Sequence, residues 1–299
     1  AASDVYKRQI SVFNQKGGVG KTTTVVNLAV ALAYLDKKVL VIDMDPQANA
    51  TTGLGIDKNK LESSIYDLFY LFSPEEEIVV EAENEEEVEI DEEISDASEE
   101  DYQVVGEDIE EKIDLDPYII KTKSSVDLIP SENSLSGLEV ELVELDPLER
   151  TQKLKEIIGA INKDYDFVLI DLPPSLGLLS INALVASNSI IIPIQTEYYA
   201  LEGVSELMNT FELVKESLNK DLYVEGVLLS MFDKRTKLAY EVVEEVKKYF
   251  KSKVFMTMIP RNVKLAEAPS HGQSAVEYDP KSQGAMAYIS LAQEISEDI

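Results

Sequence analysis

Short apolar runs alternate along this chain with longer stretches whose apolar residues recur at helical spacing. Ile10 to Asn14, Lys38 to Ile42, Val126 to Ile129, Phe167 to Ile170, Ile190 to Ile194, Val224 to Leu229 and Val254 to Met258 are short and rich in β-branched residues. That is the pattern of strands buried on both faces. Between them, Thr22 to Leu35, Leu148 to Ile161, Glu202 to Leu218 and Tyr240 to Phe250 carry helical periodicity. Strands alternating with helices predict an α/β fold, a doubly wound, mostly parallel sheet with helices on both faces and ligands at the carboxyl ends of the strands.

Two segments stand outside this alternation. Ala1 to Gln9 has neither an initiator Met nor the apolar core of a signal peptide. It is expected to be non-native or fragment-derived and to lie outside the first strand, leaving residues 10–299 as a single domain. The stretch from about Ser73 to Pro117 is Glu-rich and poor in large apolar residues. It is expected to be a solvated or disordered insertion, with DNA mimicry or repulsion as the sharper alternative.

Composition changes the picture in three ways. With 299 residues, 44% of them hydrophobic, the chain can bury one large core. No run approaches the ~18 apolar residues of a membrane-spanning helix, so a soluble protein is expected. Cysteine is absent, which removes disulfides, thiolate nucleophiles and cluster ligation by this chain, and the single histidine, His271, reads as an ordinary loop residue. A net charge of -30 argues against nucleic acid as a partner until its placement is considered. Between Pro74 and Asp116 lie 22 Asp or Glu and one Lys, so 21 of those 30 charges belong to one segment.

The candidate chemistry falls at strand ends. Gln15-Lys16-Gly17-Gly18-Val19-Gly20-Lys21-Thr22-Thr23 joins the first strand to the first helix. Glycines let several backbone N–H groups converge on phosphate oxygens, and the helix dipole adds positive potential. Lys21 is placed to meet the β- and γ-phosphates of ATP, and the Thr22 hydroxyl to meet Mg²⁺. A glycine is usual where Gln15 stands, and Lys16 is an additional lysine in the loop. Asp43-Met44-Asp45-Pro46-Gln47 follows the second strand; a carboxylate there must hold Mg²⁺, a water or a lysine, unless Asp45 serves as a helix N-cap. Phe167 to Ile170 followed by Asp171 has the Walker B pattern, with Asp171 reaching Mg²⁺ through water.

Lys16 to Thr22 resembles the deviant Walker A motif of the ParA/MinD ATPases. In that family the early lysine crosses a dimer interface, so the resemblance implies that Lys16 acts on the partner's nucleotide in an ATP-closed homodimer. It also gives Asp45 the positioning of the attacking water, with Asp43 supporting the metal side, and makes the Pro173-Pro174 stretch a γ-phosphate switch. Glu197 to Gly203, and Ile259 through Gly272, resemble the Soj branch, and the resemblance spans roughly Ile10 to Tyr70 and Ile119 to Ile295. By the same resemblance, Pro260 and Asn262 contact adenine, and Arg235 and Lys264, with Lys234, Lys237 and Arg261 nearby, contact DNA without sequence preference. The implied setting is the nucleoid in the cytoplasm, with a ParB-like centromere-binding partner that stimulates hydrolysis. The long acidic segment departs from the family pattern.

Three rivals share the site. A MinD-like ATPase would bind membrane through a basic amphipathic terminal helix, whereas Ser290 to Ile299 is amphipathic but acidic. Redox relatives need cysteines, and amide-forming synthetases need a substrate domain not visible in the sequence. A cargo-positioning ATPase would differ only in its adaptor.

Overall fold

The computed structural model describes residues 8–72, 114–198 and 203–297. Ala1 to Lys7, residues 73–113 of the acidic segment, Tyr199 to Glu202, Asp298 and Ile299 lie outside the described residues. The strands are β1 (Arg8–Val12), β2 (Val39–Asp43), β3 (Ile120–Lys121), β4 (Asp127–Ile129), β5 (Phe167–Asp171), β6 (Ser189–Gln195) and β7 (Tyr223–Ser230). Among the described residues they form one sheet, ordered β3-β4-β2-β5-β1-β6-β7. Every pairing is parallel except that of β3 with β4.

Alternation along the strands divides the core into two layers. In β2 and β5, Leu40, Ile42, Val168 and Ile170 face the layer containing α3 (Ile65–Leu71), α4 (Leu135–Leu142), α5 (Glu149–Ala160), α6 (Leu178–Ala186), α7 (Val204–Ser217) and α8 (Lys237–Phe250). Val39, Val41, Phe167 and Leu169 face the other layer, with α1 (Lys21–Tyr34), α2 (Asn49–Gly53), α9 (Val263–Glu267), α10 (Ala275–Tyr278) and α11 (Gln283–Glu297). Both faces of the sheet are covered, which is why these strands lack a polar alternate row. The chain leaves β1 toward β2 on one side and reaches β6 on the other, so the carboxyl end of β1 is a topological switch point.

The first strand starts earlier than the apolar pattern suggested. Arg8 and Gln9 are paired in it with Phe167 and Val168, and it ends at Val12 rather than Asn14. A charged residue can begin this strand because its charge is met: the Arg8 guanidinium pairs with Glu225, donates to the Ile295 carbonyl at 2.7 Å and lies over the Phe167 ring. Val254 to Met258, expected as a strand, makes only one isolated bridge, Val227 to Val254. The cause is a side chain standing in for a neighbouring strand: Glu294 of α11 accepts from the amides of Met256 (2.7 Å) and Thr257 (3.0 Å). The Phe255 ring meanwhile fills the space above Gly226, where a Cβ would come within 2.4 Å of it.

The amphipathic C-terminal stretch also has a defined use. Tyr288, Leu291, Ala292 and Ile295 are buried within the layer that contains α1, and the Tyr288 hydroxyl meets Thr24 at 3.1 Å. Its apolar stripe is therefore already covered by protein. No helix among the described residues is long and apolar enough to cross a membrane.

Arg8→Ala tests whether residues before Ile10 carry the fold. It leaves Glu225 mostly buried without its cation, and we expect a loss of about 2 kcal/mol, short of the full penalty for a deeply buried pair. Urea denaturation measures it, and an unchanged midpoint would show the contact to be dispensable.

Candidate functional site

Parallel register brings three chain segments to one point. Val12 and Asp43 both lie opposite Asp171, and the glycine loop leaves β1 immediately beyond. Gly18 and Gly20 have φ of 76° and 96°, a region that favours glycine, and no heavy atom lies within 4 Å of where a Cβ would stand on Gly17, Gly18 or Gly20. The loop is thus an open concavity of backbone capped by the N-terminus of α1, which begins at Lys21.

The loop is held from below by residues that sequence patterning passes over. The Asn14 side-chain carbonyl accepts from the Lys16 amide at 2.9 Å while its amide group donates to Pro193 at 2.8 Å. Gln15, at the position where a glycine is usual, donates to the Thr210 hydroxyl of α7 at 3.1 Å. The Ser230 hydroxyl, at the end of β7, donates to the Val19 carbonyl at 2.8 Å. Lys16, by contrast, is exposed.

Lys21 is buried, and burial pushes its ammonium below the usual lysine range against the opposing pull of Asp171 and Asp45. Its Nζ donates to the Lys16 carbonyl at 3.4 Å, a long bond within the loop's own curve. Asp43 and Asp171, both fully buried, are treated differently. Asp43 accepts from the Asp45 amide (3.1 Å), the Thr51 amide (2.8 Å) and the Thr51 hydroxyl (2.7 Å). Burial lifts its carboxyl to about 6 despite those bonds. Neither oxygen of Asp171 has a hydrogen-bond partner. Burial raises its carboxyl well above the ordinary range, with Asp43 and Asp45 adding repulsion and Thr22 and Lys21 only partly opposing it.

An unpartnered buried carboxylate beside a hydroxyl and an open backbone cradle fits a hydrated divalent cation carried in with phosphate. No trio of acidic or histidine side chains that could hold a metal alone occurs among the described residues. Mg²⁺ characteristically keeps water and substrate oxygens as ligands beside one or two carboxylates. Asp45 does not cap α2: the cap position is Ala48, and Asp45 Oδ1 accepts from the Gln47 amide in a local turn at 2.9 Å.

The remaining predicted residues lie along the same rim. Phe232 exchanges backbone hydrogen bonds with Ile259 (2.9 Å) and Arg261 (3.0 Å), which joins the turn after β7 to the Soj-like stretch that starts at Ile259. Pro260 is half-buried there, and Asn262 caps α9 through its oxygen, accepting from Lys264 at 2.8 Å. Each basic candidate beside them except Lys234 and Lys237 has an acidic partner: Arg235 with Asp233 at 2.7 Å, Arg261 with Glu197 at 3.1 Å and Lys264 with Glu267 at 2.9 Å. His271 stacks on Tyr278 with ring centroids 4.9 Å apart, consistent with an ordinary loop residue.

Comparison with known proteins agrees with this geometry. A family model described as an AAA domain matches residues 7–224. The sporulation initiation inhibitor protein Soj of Bacillus subtilis is 48% identical over 289 residues, 96% of this chain and 97% of that protein. The chromosome partitioning protein ParA of Myxococcus xanthus is 41% identical over 288 residues, 96% of this chain and 87% of that one. Among solved structures, cobyrinic acid a,c-diamide synthase from Mycobacterium smegmatis with bound ADP and magnesium superposes with a TM-score of 0.72 at 28% identity, covering 96% of this chain and 93% of that chain. The septum site-determining protein MinD from Pyrococcus horikoshii, complexed with Mg-ADP, gives 0.66 at 25% identity, covering 97% and 96%. The structural neighbours share the sheet and loop, while the higher sequence identities over nearly the whole length fall among partition proteins: the chain belongs to the ParA/Soj family of chromosome-partitioning P-loop ATPases.

Proposed function

We propose that this protein is an ATP-switched partition ATPase in which ATP closes a homodimer, the dimer holds DNA without sequence preference, and hydrolysis stimulated by a ParB-like partner releases it. The observation that carries the reading is the pairing of an open glycine cradle with the unpartnered Asp171 carboxylate directly behind it. Lys21 and the loop amides bind the phosphates; Thr22, Asp171 and, behind them, Asp43 hold Mg²⁺, which neutralises the phosphate charge when bound. Thr23 lies with them at the first turn of α1, and Asp45 orients the attacking water. Pro260 and Asn262 line the adenine end.

Exposure of Lys16 supports its role in trans, because an exposed cation reaches a second nucleotide only when two copies close face to face. Arg235 and Lys264 supply phosphate contacts to DNA, and doubling them in the dimer makes ATP the control of DNA affinity. Their acidic partners form exposed, solvent-screened pairs, a small barrier to exchange for DNA phosphate. A MinD-like membrane role is the second reading, and the covered apolar stripe of α11 weighs against that helix as its anchor.

DNA retention across a salt series is expected with ATP only, falling steeply as salt rises. Equal retention with ADP or no nucleotide would refute the switch. Lys21→Ala should lose ATP binding, and Asp45→Ala should bind ATP and stay on DNA. Lys16→Ala should bind ATP yet remain monomeric by light scattering, so an ATP-dependent Lys16→Ala dimer would overturn the role in trans. Asp171→Asn removes a carboxyl that burial already disfavours in its charged form, so the nucleotide-free protein should keep or gain stability while Mg²⁺-dependent nucleotide protection in thermal melts is abolished. A destabilised Asp171→Asn variant would contradict the assignment.

A further inference from the structure

Four residues at the head of β2 and β4 form a closed ring of buried hydrogen bonds. Asp43 accepts from the Thr51 hydroxyl at 2.7 Å, and the Thr51 oxygen accepts from the Ser131 amide at 3.0 Å. The Ser131 hydroxyl donates to the Asp45 carbonyl at 2.7 Å, and the Asp45 amide returns to Asp43 at 3.1 Å. Thr51, Ser131 and Asp43 are fully buried. The ring therefore grips the Asp45 peptide groups from both sides while leaving its side chain to the local Gln47 contact.

The ring also stabilises an awkward backbone. Ala48, just beyond Asp45, has φ of 54° and ψ of 42°, a left-handed conformation that a residue with a Cβ adopts only where its surroundings fix it. Its amide donates to the Asp45 carbonyl at 2.8 Å, the same oxygen that Ser131 holds. A single carbonyl thus ties the bend of the Asp45 loop to the end of β4, 86 residues along the chain.

We infer that Thr51 and Ser131 are positioning residues for Asp45, setting the geometry of hydrolysis without touching nucleotide. The inference rests on the ATPase reading proposed above for its kinetic consequence, and on the ring alone for its structural one. Misplacement of a catalytic group by about an ångström can cost up to ~100-fold in rate while binding elsewhere is kept. The ring should therefore move kcat and spare ATP affinity.

Ser131→Ala removes one hydroxyl and keeps the Ser131 amide contact. Thr51→Val removes the hydroxyl at nearly constant shape, and Thr51→Ser retains it. Amide hydrogen exchange on the nucleotide-free protein should show faster exchange, about tenfold, at residues 45–48 in Ser131→Ala and Thr51→Val, but not in Thr51→Ser. Steady-state ATPase with DNA should show kcat about tenfold or more lower in the first two, ATP Kd within about threefold of wild type, and Thr51→Ser near wild type. Unchanged exchange in Ser131→Ala and Thr51→Val, or equal losses in all three variants, would overturn the positioning role. Lys21→Ala is the control for the broader reading: wild-type ATPase no higher than in Lys21→Ala would refute the ATPase reading, while the exchange result would still decide the ring.

Discussion

The buried carboxylate of Asp171, which has no partner, is the constraint around which the rest of the molecule is arranged. Burying an ionised group without compensation costs several kcal/mol even after relaxation, so a fold keeps one only where something else will satisfy it. Here the cost is localised at the carboxyl end of a central strand, where neighbouring β1 and β2 bring the glycine loop and Asp43 alongside. The sheet and both helical layers fix that point. The nearby Lys21 ammonium relieves only part of the penalty because it is itself desolvated.

The contrast between Asp43 and Asp171 shows how neighbouring acids divide their work. They sit opposite one another in register and are equally buried. Asp43 is surrounded by donors and holds a loop; neither oxygen of Asp171 has a partner in hydrogen-bond geometry, and only Thr22 and Lys21 stand near enough to favour its charge. Identical residue types at identical strand positions thus acquire different functions from the groups supplied by more distant chain segments, here Thr51.

Much of this was legible in the sequence because it is local. The strand–loop–helix order, the glycine spacing and the apolar run before Asp171 each declare a backbone geometry within a few residues. What was missed depends on long-range contact. Arg8 looked foreign to the first strand because its partners, Glu225 and Ile295, come from the far end of the chain. Val254 to Met258 has a strand's composition, yet a glutamate from α11 satisfies its amides. Asn14, Thr51, Ser131 and Ser230 carry no motif, since small polar residues are recognisable as supports only once the fold shows what they support. Of the helical patterns, α1 and α5 fall within a residue of their expected bounds, whereas α8 begins at Lys237, three residues before the expected Tyr240.

Charge placement bears on the proposed reversible grip on DNA. Arg235, Arg261 and Lys264 are gathered on one rim but each is already met by an acid. In the proposed complex, a DNA phosphate takes the place of each carboxylate partner rather than meeting a free cation, and the net gain per contact is small. A single copy with so few contacts, in a chain of net charge -30, is poorly suited to hold a polyanion. In the proposed dimer, two copies face to face would combine their weak contacts, because the second set binds at the effective concentration set by the first. Weak individual contacts are therefore what the proposed nucleotide-controlled clasp requires: separation of its two copies would suffice for release, with no rearrangement of the basic side chains themselves.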